Sequence, residues 1–189
     1  MEETLFIILF VIIIIIIISK YNKNKDVSIV KSTIDNREYR VLKSDNEIEA
    51  ANLLAIINKD IIKLIKSLEN EKDNKYKRLV KRYNPETLNE NLEKNDYKAY
   101  SLNKGEEIVI CIREDDNTLI KDKNTILFVI IHELSHIMTK ETGHPPIFWK
   151  NMNILLKKAD EIGIYNLIDY NKYPTNYCGM VIDNSPYQF

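Results

Sequence analysis

Glycine is scarce in this 189-residue chain, with only 4 present, and alanine is rare as well, whereas isoleucine, asparagine and lysine are used heavily. That skew reads as the composition of an AT-rich genome rather than as chemistry. Cysteine is almost absent. Cys111 and Cys178 lie far apart, which excludes a CxxC redox pair and a disulfide framework, and offers none of the close cysteine pairs of structural zinc sites. They read as free thiols of a reducing compartment, with one long-range disulfide as the alternative. Excess charge is also missing. The 27 basic and 28 acidic residues leave a net charge of −1, so electrostatics argues for no nucleic-acid partner and no acidic substrate. Histidine is the most informative scarcity. The chain has 3, and all fall within the 13 residues from His132 to His144.

One long hydrophobic run is present. Leu5 to Ile18 is an unbroken apolar stretch of 14 residues. As a helix from Thr4 to Tyr21 it would be roughly 27 Å long, close to a ~30 Å hydrocarbon core. Glu2 and Glu3 precede it, and no small-residue cleavage site follows, so it reads as an uncleaved anchor rather than a signal peptide. Lys20, Lys23 and Lys25 follow it, which by the positive-inside rule places the N-terminus outside and the rest of the chain in the cytoplasm. The expected organisation is a transmembrane anchor over 1–21, a polar linker over 22–26 and one domain over 27–189. That length suits one globular core.

Within the domain, two short strands are expected over 27–33 and 38–42, joined by a turn at Asp35-Asn36. A helix over about 46–69 follows from apolar residues at helical spacing, capped by Ser44 or Asp45, and a more polar one is expected over 73–83. Residues 97–102 and 107–112 alternate as strands about an Asn103-Lys104-Gly105 turn. A helix from Asp122 or Asn124 carries the apolar run Ile126–Ile131 and should stop at Gly143. Pro145 or Pro146 opens the next helix, which should end near Ile162 before Gly163. The tail is rich in Tyr, Asn and Pro, with one strand expected near 180–183.

His132, Glu133 and His136 form an HExxH motif in the apolar helix. Residues four apart share a helix face, so both imidazoles can reach one metal ion. A catalytic zinc takes a third protein ligand and keeps a position open. His144 follows a glycine that lets the chain turn back, and zinc favours imidazole, so it ranks ahead of Asp160 and Glu161, while Glu141 lies too near His136 to swing round. One zinc ion is expected. Glu133, about 100° further round the helix, faces the cleft, where it can take a proton from water whose pKa zinc lowers toward ~7. A chance HExxH is expected in roughly one chain in a few hundred. Here the helix, the following glycine and the third histidine coincide with it. For the oxyanion, Tyr177 and Tyr173 are candidates. Phe148 and Trp149 read as core anchors of the last helix.

The stretch His132-Glu133-Leu134-Ser135-His136, with Gly143-His144, Phe148-Trp149 and Tyr177-Cys178-Gly179, resembles the WLM and SprT-like metallopeptidases. It looks most like the small WLM-like proteins of large DNA viruses. The resemblance implies a compact α+β, zincin-like (minigluzincin-type) fold. In that fold a small mixed sheet lies over the HExxH helix and a strand lines the substrate cleft. The gap from His136 to His144 is slightly longer than in the cellular WLM proteins, and no basic or SUMO-binding tail is present. The functional expectation is a membrane-anchored zinc peptidase acting on protein or peptide substrates. A tethered interaction protein with structural zinc is the alternative, and a small-molecule zinc amidohydrolase a third reading. Glu133 separates the first two, since a structural site has no use for it.

Overall fold

The computed structural model describes residues 6–14, 27–92 and 97–186. The domain begins with β1 (Val27–Lys31) and β2 (Glu38–Leu42), an antiparallel hairpin whose turn places Asn36 at a positive φ. Next come helix α2 (Glu47–Ser67), helix α3 (Asn74–Arg82), a short 3₁₀ turn (Pro85–Thr87) and strand β3 (Leu88–Glu90). Strands β4 (Ala99–Leu102) and β5 (Glu107–Ile110), helices α4 (Lys123–Met138) and α5 (Pro146–Glu161), and a second hairpin, β6 (Thr175–Tyr177) and β7 (Met180–Ile182), complete it.

The central sheet has the order β3-β5-β4. β3 runs parallel to β5 and β4 antiparallel, so the sheet is mixed, as the resemblance implies. Ile108, Val109 and Ile110 of β5 are all buried, which explains the apolar run without alternation. β3 was not legible in advance: Leu-Asn-Glu is three residues with one apolar member. Its Leu88 enters the core, and its Glu90 is buried against Arg113 at 2.6 Å and also accepts from the Leu42 amide, so an ion pair seats this strand together with one apolar side chain. α2 supplies Leu54, Ile57, Ile61 and Leu64 to a core shared with α4 and α5. Its N-cap is Asn46, whose side chain makes no capping bond but accepts from Ser44 and Arg113. The neighbouring polar network thus takes the oxygen that a cap would use.

Three expectations need correction. First, among the described residues no helix is long and apolar enough to cross a membrane. The described part of the N-terminal run is a helix, α1, over residues 6–14. The remainder of the anchor expected over 4–21, and the linker over 22–26, lie outside the described residues. The topology with the N-terminus outside and the domain cytoplasmic rested on a spanning helix and loses its basis. Second, α4 ends at Met138, with Thr139 in extended conformation, five residues before the glycine expected to stop it. Third, the cysteines are not free: Cys111 and Cys178 form a disulfide, with Cα atoms 6.4 Å apart. Cys111 follows β5 and Cys178 sits in the β6–β7 turn at φ 50°, so only the fold brings them together.

Candidate metal centre and cleft

α4 is apolar around most of its circumference because the sheet, α3 and α5 pack around it. Ile126, Leu127, Ile130, Ile131, Leu134, Ile137 and Met138 are buried. Its one polar face bears His132, Glu133 and His136. The chain then runs irregularly to His144 and re-enters a helix at Pro146. Gly143 lies in this loop at φ 73°, a conformation that favours glycine, and bends the chain toward α4.

The loop returns His144 to α4. One ring nitrogen from each of His132, His136 and His144 lies within 4.8 Å of the others, and the Nε2 atoms of His132 and His144 are 3.0 Å apart. Two nitrogens on one zinc at ~2.1 Å each lie at most about 4.2 Å apart, and about 3.4 Å apart in a tetrahedral site. The three imidazoles converge on one point with their donor atoms within 4.8 Å of one another, and their chemistry fits a zinc ion; side-chain shifts of about an ångström would bring the widest pair to tetrahedral spacing. Burial, and then the neighbouring histidines, push His132 down to about 3. Burial, then His144 and Lys104, push His136 down to about 4. Both rings are therefore neutral near pH 7, the form that ligates metal.

Phe148 is fully buried and its ring lies 4.5 to 4.8 Å from all three imidazoles, forming the floor of the cluster. Trp149 departs from the expected core role. It is 43% exposed and stacks on His144 at 5.6 Å. The two aromatics thus brace the rings as much as the helix. Asp160 and Glu161 are engaged elsewhere: Asp160 accepts from the Leu167 amide and Glu161 pairs with Lys158. Neither belongs to the imidazole cluster, the one potential metal group among the described residues.

Glu133 lies beside the histidines but is only 6% exposed. Burial raises its pKa to about 7, while Ser101, bonding through both side chain and backbone, pulls it down. Ser101 belongs to β4, so the edge strand of the sheet holds this carboxylate. No sequence signal marked Ser101, because a lone serine in a strand is unremarkable until its partner is known.

Beside His132 and Glu133 opens a cleft of about 340 Å³. β4 and the residues before it form one side, Phe128 and Val129 of α4 the floor, and Tyr177 with β7 the other side. Tyr177 therefore lies in the cleft, but its hydroxyl donates to the Cys111 carbonyl at 2.7 Å. Burial first, then the Glu133 charge, hold that phenol well above its usual range. Tyr173 is 70% exposed and does not line the cleft.

Comparison with known proteins agrees with this architecture. Residues 34–179 match the WLM domain. An uncharacterized protein of Acanthamoeba polyphaga mimivirus is 36% identical over 183 residues, spanning 94% of this chain and 92% of that one. An uncharacterized protein of Invertebrate iridescent virus 3 is 34% identical over 85 residues, 45% of this chain and 52% of its own length. Among solved structures, Wss1 from Saccharomyces cerevisiae shares the fold. Its TM-score is 0.51 at 18% identity, over 65% of this chain and 85% of that one. With the motif, the three-histidine cluster and the mixed sheet in place, this chain belongs to the WLM domain family, with relatives in mimivirus and the iridescent viruses.

Proposed function

We propose that the chain is a zinc-dependent metallopeptidase in which His132, His136 and His144 hold one zinc ion and Glu133 is the general base of peptide-bond hydrolysis. The observation that carries this reading is the placement of Glu133. It is one residue from an imidazole of the cluster, it opens onto the cleft, and it has a pKa of about 7. A site that merely held metal would have no use for a buried carboxylate there, since leaving it charged is costly.

Bound zinc supplies Lewis acidity, which acidifies water and polarises a carbonyl oxygen. The chain's own groups do the rest. The neutral imidazoles of His132 and His136 present lone pairs without first losing protons. Ser101 fixes the direction of the Glu133 carboxylate. Glu133 takes a proton from the attacking water and then hands it to the leaving amine; a base poised near the working pH is efficient in both directions. The substrate is a protein or peptide. An extended segment fits the border of the cleft, where β4 is the edge strand of the sheet.

The test is Glu133→Gln in the full chain, with zinc content and cleavage of a generic protein substrate measured together. Zinc should stay at one per chain while hydrolysis falls ~10²–10⁴-fold, the usual worth of acid–base help. Cleavage at the wild-type rate would remove Glu133 from the mechanism. Zinc in both proteins with cleavage by neither would move the reading to a structural metal site.

A further inference from the structure

α4 stops at Met138 although neither glycine nor proline occurs before Gly143. From Lys140 to His144 the chain is exposed, and among the described residues no backbone–backbone hydrogen bond is made by positions 140–144. Such a segment has little of its own to hold one conformation. Yet it must deliver His144 to the face of α4.

Two cations from outside the segment hold it. Arg78 of α3 donates to the Met138 carbonyl at 2.9 Å. The Lys104 ammonium donates to the carbonyls of Thr139, Lys140 and Glu141 at 2.7, 2.8 and 2.7 Å. An ammonium has three donors, and here three consecutive carbonyls take them. The turn bearing Lys104 is unusual in its own right. Asn103 (φ 43°) and Lys104 (φ 56°) both adopt the left-handed region that side chains disfavour. Gly105 follows at φ 111°, where an added Cβ would lie 2.9 Å from the Arg82 carbonyl. A strained turn pressed onto α3 is thus what aims the ammonium at the end of α4.

We infer that Lys104 is a positioning residue for the third metal ligand, wrapping the 139–141 backbone around its ammonium so that His144 reaches His132 and His136. This rests on the metal-site reading above. Two effects of opposite sign compete. The positive charge of Lys104 lies near enough to His136 to repel a second cation, so removing it should tighten zinc. Removing the clamp releases a loop that must then be ordered each time metal binds, which weakens zinc. The clamp dominates, because three carbonyl dipoles already surround the charge, whereas ordering several backbone residues carries a large entropic cost.

Zinc affinity of the full chain, read by competition with a chromogenic chelator, decides the matter. The proteins compared are wild type, Lys104→Met, His144→Ala and the double variant. Lys104→Met should weaken zinc ~10–100-fold, the range typical of groups that orient ligands, and add nothing once His144 is gone. Unchanged or tighter zinc in Lys104→Met overturns the inference. So does an equal loss in the His144→Ala background, which would place the effect on the fold rather than on this ligand. If Lys104→Met does not fold, Lys104→Gln serves. It keeps two N–H donors without the charge and should show a partial loss; unchanged or tighter zinc there overturns the inference equally. A wild-type chain that binds no zinc overturns the metal reading itself, an outcome distinct from a wild type that binds zinc and a Lys104 variant that binds it equally well.

Discussion

The two flanks of the cleft are built on different principles. On one, HExxH lies within a single helix, where the helical period alone puts His132 and His136 on one face, and His144 is only eight residues further on. On the other, the β6–β7 hairpin has three residues per strand, too few for independent stability. It is held by long-range ties to the region after β5. These are the Cys111–Cys178 disulfide, the Tyr177 hydroxyl on the Cys111 carbonyl, and the packing of Gly179 against Asp115, whose carboxylate oxygens lie 3.0 Å from where a Cβ would be. The first flank is local chemistry on a packed scaffold; the second is a short ribbon fastened by cross-links. Damage to one should leave the other largely intact, and that independence can be tested.

The largest effect should come from the metal flank. His136→Ala removes one of three convergent imidazoles and should abolish stoichiometric zinc binding, as metal analysis after dialysis would show, while the hairpin and its disulfide stay formed. Loss of the disulfide in that variant would mean that the flanks are coupled.

Next in size is the opposite lesion. Reducing the disulfide, or replacing both cysteines by serine, opens a loop spanning 67 residues. Chain-entropy arguments assign such a link roughly 4 kcal/mol, an upper figure, so melting should fall by about 10 °C. Zinc content should be unchanged, because no ligand lies in the hairpin. The Michaelis constant for a protein substrate should rise as the β7 side of the cleft loosens. Equal metal loss on reduction would contradict the independence of the two flanks.

A smaller effect concerns Glu133. It lines the cleft and is also buried, with its pKa raised to about 7 from 4.5. The native state therefore holds this proton more tightly than the unfolded chain does. Its contribution to stability is fully present below about pH 4.5 and is lost as pH rises through about 7. In the metal-free protein, Glu133→Gln should raise the melting temperature by a few degrees at pH 8 and hardly at pH 4.5. A gain independent of pH would mean that the carboxylate is not desolvated. His132 has the opposite sign. Its pKa falls from 6.5 to about 3, so its contribution is present above about 6.5 and lost as pH falls toward 3, and metal-free protein should soften over that window.

The smallest change is Tyr177→Phe. It removes the bond to the Cys111 carbonyl and should cost about 1 kcal/mol, read by denaturant melts, with hydrolysis retained. A large fall in kcat at unchanged stability would instead give this hydroxyl the oxyanion role for which it and Tyr173 were candidates.

What could be read in the sequence follows these distinctions. α2, α3, α4 and α5 were legible from helical spacing and breakers, as were the β1–β2 and β4–β5 hairpins with turns at Asn36 and Gly105, because those signals are local. β3 and β6 were missed, because three-residue strands carry no period: β3 exists by pairing with distant β5, and the β6–β7 ribbon is held by ties to the region after β5. The end of α4 was misplaced at Gly143 because its actual end depends on Arg78 and Lys104, tens of residues away. The cysteines were read as thiols because sequence separation says nothing about distance in space.

By itself, then, the sequence determined which side chains make up the candidate metal centre: two histidines at helical spacing, with a glycine before the third. Only the tertiary structure decided that Ser101 would hold Glu133, that Phe148 would floor the histidines, and that a disulfide would fasten one side of the cleft. The physical reason is range. Periodicity and capping act within a few residues and are written in order along the chain, whereas burial, pKa shifts and cross-links arise between groups that only a folded core brings together.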